Sequence, residues 1–235
     1  MLNSAQGPQP AHSPGDFSTD RRVLILVGMA LIVGTCSVGA AWLLIRLIAL
    51  ATNLLWFHRI SVDDVSLAWT HPGISTIVIP IAGGLLVGLM ARFGSEKIRG
   101  HGIPEAIEAI LIGGSRLQLK VAILKPLSSA ISIGSGGPFG AEGPIIMTGG
   151  AIGSLIAQCF HFSAAERKTL LVCGAAAGMT AIFGTPVAAV LLAVELLLFE
   201  WKPRSLIPVI VASVVAIAWR PLLFGNGPLF PLLSS

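Results

Sequence analysis

Glu142 is an acid where acids are costly. It stands in Gly134-Ser-Gly-Gly-Pro-Phe-Gly-Ala-Glu-Gly-Pro144, a run with no other charge that passes directly into the apolar stretch Ile145–Ser154. A carboxylate at membrane depth usually faces a pathway or a partner. A Gly/Pro-interrupted segment giving way to an apolar helix is a pointer to an ion-binding site.

The chemistry offered by such a break is anion binding. A helix start leaves its first amide N–H groups without partners, and the macrodipole places roughly half a positive charge there. Glycine lets backbone approach a ligand closely, and proline fits the first helical turn. Two segments have this composition just before a predicted helix: Gly100-His101-Gly102-Ile103-Pro104 and Gly134–Pro144. Two such starts converging at membrane depth would bind an anion without a full basic side chain, weakly enough to release it. Glycines of this kind also serve tight packing and kinks, so the composition alone leaves both readings open.

Other charged residues carry similar alternatives. Lys125 lies in the helix before Glu142, after an uncharged Val121–Leu124 and before Pro126. It is either a fixed positive charge that raises the local potential for anions or a lysine snorkelling from a helix end. Glu105 and Glu108 share one face of a short helix and read as simple complements of its dipole. Glu195, alone in Val187–Phe199, reads as a buried structural acid bonded to backbone amides.

The elements that must position these residues follow from composition. The 235-residue chain is 54% hydrophobic and 11% charged, against about 25% charged in soluble domains. It is an all-α polytopic membrane protein. Val23–Ile45 is uncharged and long enough to span a bilayer by the roughly 20-residue criterion. A tilted first span is expected over about Arg22–Phe57, a second helix over about Pro72–Phe93 with Gly83, Gly84 and Gly88 as packing positions, and a last over about Ser205–Leu223. Between them lie short segments, Glu105–Ile112, Leu117–Ser132 and a helix from Pro186 to about Phe199. These read as broken or re-entrant helices, tolerated where they pack in protein or line a cavity.

Met1–Asp20 is rich in Pro, Ser and Gly, and residues 1–21 read as a disordered cytoplasmic tail. Arg21 and Arg22 precede the first span, and Arg92, Lys97 and Arg99 follow the second, which places both ends inside. The segment 58–72, with His58, Arg59, Asp63, Asp64 and His71, is then outside. The net charge of +4 is scattered over segment ends and is no nucleic-acid signal. Cys36, Cys159 and Cys173 read as packing residues, not as metal ligands or a disulfide framework. No cofactor or metal is implied.

These segments resemble the CLC family of chloride channels and chloride/proton exchangers. That family's anion site uses segments of the form GSGIP and GREGP or GKEGP, followed by GxFxP. Here Gly100–Pro104 stands for the first and Gly140-Ala141-Glu142-Gly143-Pro144 for the second. Gly174–Pro186 and Val187–Glu195 match the following helix pair, and order and spacing agree along most of residues 22–224. The resemblance implies the first inverted-repeat half of a CLC-type fold, with tilted and broken helices. It implies a chloride or similar-anion pathway with Glu142 as gate, its carboxylate mimicking an anion at the helix start. It implies an anion site from Gly100, His101, Gly102, Ile103, Pro104, Gly140, Ala141, Gly143 and Pro144, with Lys125 as electrostatic support. It also implies an integral membrane protein of the bacterial inner membrane, and a homodimer to which about 186–224 contribute.

The departures are specific. His101 stands where the family often has Ser, and Ala141 replaces a basic residue. Leu196 occupies the position of a second acid frequent in exchangers, which weakens coupling to protons. No GxFxP motif follows Ser205, and the tyrosine that completes the family's anion site far downstream has no counterpart, since the sequence has no tyrosine. The chain therefore reads as half of the family domain (22–224), with 225–235 a short tail at a truncation point. Its partner is expected to be a missing second half or a second copy. A non-conducting half that assembles with another membrane subunit is the alternative. An intramembrane serine hydrolase built on Ser135 with His101 or His161 is remote, because the surrounding glycines fit neither GxSG nor GxSxG.

Overall fold

The computed structural model describes residues 21–63, 65, 73–160 and 162–225. The expectations for the 1–20 tail, Asp64, His71, His161 and the 226–235 tail lie outside the described residues. Eight α-helices follow in chain order: α1 Arg21–Phe57, α2 Ser75–Phe93, α3 Ile103–Leu111, α4 Leu119–Gly134, α5 Glu142–Cys159, α6 Ala164–Phe183, α7 Pro186–Ala193 and α8 Pro203–Phe224. Proline opens α7 and α8 and sits in the first turn of α3, where its missing N–H costs nothing. α7 runs directly into a π-helical turn, Val194–Leu198, ended by Phe199 at φ +54°.

Three helices, α1, α2 and α8, are long and apolar enough to cross a membrane. α6 is the axis of the bundle: sixteen of its twenty residues are buried. It packs against α5 through glycines on both helices. A methyl group placed on Gly149 would overlap the carbonyl of Gly174, and one on Gly153 would overlap that of Leu170. Gly149/Gly153 and Gly174/Gly178 are both small-xxx-small pairs, the spacing that lets membrane helices approach backbone to backbone. α1 closes the other side, with Gly34 against Ala212 of α8. Buried Thr148 and Thr180 donate to the carbonyls of Pro144 and Ala176, four residues back, so their hydroxyls need no partner across a helix interface.

The structure corrects several expectations. The second helix begins at Ser75 rather than Pro72. Only Gly83 of its glycines packs inside the chain, against Ser135, while Gly84 and Gly88 face open space. Cys173 is buried, but Cys36 and Cys159 are exposed on the bundle surface. Glu195 is exposed, not buried. Ala189, Ala193, Val194, Leu197 and Leu198 make up the inward face at ordinary helical spacing, and Glu195 falls on the opposite one.

Candidate functional site

The turn before α3 is clamped from two sides. Gly100 and Gly102 hold φ values of +83° and +113°, a region that disfavours any residue with a Cβ. Lys125 of α4 donates from Nζ to the carbonyl oxygens of Ile98, at 3.0 Å, and Gly100, at 2.8 Å. On the other side the Glu105 carboxylate accepts the Gly102 N–H at 2.7 Å. Lys125 is 2% exposed, so it does not snorkel. Glu105 does more than complement a dipole, since it fixes the backbone that starts α3. Its charge is also the one that acts on Lys125.

The start of α5 is built similarly. Trp56 at the end of α1 donates from Nε1 to the carbonyl of Gly134 at 3.1 Å, which anchors the end of α4. The chain turns through Gly136, φ +93°, and reaches Ala141, whose carbonyl accepts the Ile145 N–H at 3.0 Å. Glu142 is the first residue of α5. In both helices a proline occupies one of the first three positions, which leaves two free amides: Ile103 and Glu105 in α3, Glu142 and Gly143 in α5.

The two starts meet. A methyl group on Gly143 would overlap the His101 carbonyl and lie 2.6 Å from His101 Nδ1, and one on Gly102 would lie 2.5 Å from the Gly143 carbonyl oxygen. Glycine at both positions is what permits this approach. Beside the junction is a cavity of about 280 Å³. Gly100 and His101 line it from the α3 start, Phe139, Gly140 and Pro144 from the α5 start, and Val87 from α2. α4 contributes Lys125, Ser128, Ser129 and Ser132.

Those four α4 residues were not singled out from the sequence beyond Lys125. Their signal was present: positions i, i+3, i+4 and i+7 are one face of a helix, and here that face is polar in an otherwise apolar segment. Ser128 is occupied, its hydroxyl donating to the Lys125 carbonyl at 3.0 Å.

Glu142 itself is exposed and stands outside the cavity lining. Its carboxylate folds back over Gly140, within 2.5 to 3.3 Å of where a methyl group on that residue would be. The fold therefore brings together His101, Gly102, Gly143 and, through Gly100, Lys125. It does not bring the Lys125 ammonium to the Glu142 carboxylate. Ser135 is buried and donates to the Ser132 carbonyl at 3.0 Å, with no base in hydrogen-bond contact among the described residues. Leu196 is partly buried in the π turn next to the exposed Glu195.

Comparison with known proteins agrees with this architecture. The family model described as voltage gated chloride channel matches residues 83–235. A chloride channel protein described as ClcB-like from Ralstonia nicotianae is 30% identical over 75% of this chain and 42% of its own length. A voltage-gated ClC-type chloride channel, ClcB, from Yersinia pseudotuberculosis is 31% identical over 88% of this chain and 49% of its own length. The crystal structure of a slow cyanobacterial Cl⁻/H⁺ antiporter covers 90% of this chain and 49% of its own, with a TM-score of 0.66 and 23% identity. That last likeness is one of fold. The chain spans about half the length of the curated relatives it matches. Its helices, its Gly/Pro-marked helix starts and these matches together place it in the voltage-gated chloride channel family, as an integral membrane protein.

Proposed function

We propose that this chain forms one wall of a transmembrane pathway for chloride or a similar small anion, with Glu142 as its gate. The observation that carries the reading is the meeting of Gly102 and Gly143. It sets two helix starts side by side, each with two free amides, next to a cavity with an ammonium at its wall. Partial positive charge from both dipoles is aimed at one place. The Glu142 carboxylate is the anion mimic nearest that place. Swung off Gly140, it would occupy the α5 start, and swung back or protonated it would vacate it. Gly100, His101, Ile103, Pro104, Gly140, Ala141 and Pro144 shape the site, and Lys125 supports it by holding the α3 turn.

The exposure of Glu142 supports a wall that faces outward. A facing surface is needed to complete an enclosed path, and a second half or a second copy would supply it. A chain that serves another membrane subunit without conducting by itself is the second reading, favoured by that same one-sided geometry. Leu196 in place of an acid argues for anion movement without tight proton coupling. An enzymatic role is disfavoured, because Ser135 is buried on a backbone carbonyl. The basic ends of α1, α4, α6 and α8 support a cytoplasmic N-terminus, with 22–224 as the membrane unit, in a bacterial inner membrane.

Chloride efflux from liposomes holding the full chain tests the gate. Glu142→Gln is expected to raise flux at neutral pH and flatten its rise on acidification. A pH response identical to that of the unaltered protein would refute the gating role. No flux from either protein, with Glu142→Gln flux appearing once a partner polypeptide is co-expressed, would favour the second reading.

A further inference from the structure

Hydrogen bonds around the start of α6 and the end of α5 gather several chain segments at one end of the bundle. Arg22 of α1 reaches Glu166 at 3.3 Å. Arg167 donates from Nε to the carbonyl of Gly114, in the α3–α4 turn, at 2.9 Å. Gln158, near the end of α5, donates to the Leu117 carbonyl at 3.1 Å. Arg204 of α8 lies within electrostatic reach of Glu166.

Arg167 stands out at this end. It is 8% exposed, with its stem covered and its terminal nitrogens open to the surface. Yet among the described residues it forms no ion pair. The adjacent Glu166 is turned away, bonded to Arg22 and to the Ser163 N–H at 2.9 Å. Arg116 brings a second guanidinium close to it, two residues past the Gly114 carbonyl that Arg167 holds. Lys168 follows it in the chain, and Lys120 stands exposed in the first turn of α4. The Arg167 Nε is spent on Gly114, which leaves its two terminal nitrogens to a ligand. Two neighbouring guanidinia without an acid call for an outside anion, and the planar fork suits the oxygens of a phosphate. The surroundings are apolar and open: Ile112 is 83% exposed, Leu119 62% and Phe160 59%.

We propose that Arg116 and Arg167, with Lys168 and Lys120, form a headgroup site for an anionic phospholipid. The phosphodiester sits between the two guanidinia, and the acyl chains run along Ile112, Leu119 and Phe160. Charge complementarity selects the headgroup, and the apolar flank selects a lipid over a free oxyanion. The site belongs to the fold's basic end and is independent of the anion pathway.

Native mass spectrometry of the full chain, titrated with phosphatidylglycerol and with phosphatidylcholine of matched acyl chains, tests this. Each basic residue near a membrane surface contributes enough that two of them give a preference of about tenfold or more for the anionic lipid. The double substitution R116Q/K168Q changes partly or fully accessible residues and is expected to cut the preference by about tenfold or more, leaving what Arg167 and Lys120 hold, with an unchanged thermal midpoint. R116Q alone serves if the double variant unfolds, and it should give about half of that loss on a logarithmic scale. Equal retention of the two lipids by the unaltered protein overturns the proposal. So does a preference that R116Q/K168Q leaves undiminished. Inorganic phosphate that displaces phosphatidylglycerol at equal concentration overturns it too, because the site would then read a free oxyanion.

Discussion

The Lys125 ammonium holds the carbonyl of Gly100 at 2.8 Å, across the gap between α4 and the start of α3. A second bond, to the Ile98 carbonyl, uses another of its three N–H groups. The lysine is therefore first a backbone fastener. Its charge still lends the cavity wall a positive potential, moderated by the Glu105 charge nearby.

Lys125→Met follows directly. It keeps the volume of the side chain but leaves the buried Ile98 carbonyl and the partly buried Gly100 carbonyl without that donor, at a cost of about 1–3 kcal/mol for the buried one. The expected result is a lowered thermal midpoint of the purified chain together with weakened anion flux. Lys125→Arg should recover neither fully, because a planar fork cannot reproduce the two tetrahedral directions. A midpoint for Lys125→Met equal to that of the unaltered chain would show that the fastening role is wrong.

Gly143→Ala tests the junction of the two helix starts. The added methyl group overlaps the His101 carbonyl, so backbone must shift, and overpacking of this kind costs about 1–3 kcal/mol. The shift separates the α3 and α5 amides, so anion flux should fall more steeply than stability. Gly84→Ala, on the open face of α2, is the control and should change neither. Full flux through Gly143→Ala would mean that the two starts need not touch to serve an anion.

How much of this was legible in the sequence depends on which contacts are local. The span α1 and the last helix α8 were read within a residue or two, because an uncharged apolar run leaves little choice. The two Gly/Pro breaks marked α3 and α5 because glycine and proline act on their own backbone. That Gly102 would meet Gly143 is a contact between distant segments, and nothing in either motif specifies it. Lys125 was legible as a charge but not as a donor to Gly100, since its partner lies on another element. Glu195 was misread because Ala193, Val194, Leu197 and Leu198 take the inward face and leave it outside, and a segment apolar all round does not announce which face is buried. The serine face of α4 and the paired glycines of α5 and α6 were legible by spacing.

Ser129→Ala and Ser132→Ala examine that serine face. Ser129 is 8% exposed and lines the cavity, and no hydrogen bond inside the described residues engages its hydroxyl. Removing it should leave the stability within about 0.5 kcal/mol of that of the unaltered chain, as for other changes that break no internal contact. If the cavity holds a hydrated anion, flux should fall by about threefold to tenfold for the loss of one hydroxyl donor. Ser128→Ala separates the effects, because its hydroxyl is already bound to the Lys125 carbonyl. Flux in Ser129→Ala and Ser132→Ala that matches Ser128→Ala would show that the cavity lies off the anion path.

Gly153→Leu probes the axis on which the site is mounted. Its Cα faces the Leu170 carbonyl of α6 so closely that even a methyl group overlaps it. The neighbour in the way is backbone of the most buried helix, which cannot swing aside as a flexible side chain would. α5 and α6 must separate, and the small-residue packing that replaces a hydrophobic driving force within a membrane is lost along the interface. Leucine here is expected to cost more than the 1–3 kcal/mol or so of ordinary overpacking, enough to leave little folded protein after detergent extraction. Gly153→Ala should be intermediate. Gly39→Ala, where a methyl group meets nothing within 4 Å, should extract like the unaltered chain. Monodisperse Gly153→Leu protein with an unchanged midpoint would show that α5 and α6 are not packed backbone to backbone, and the position of Glu142 at the head of α5 would then need a different support.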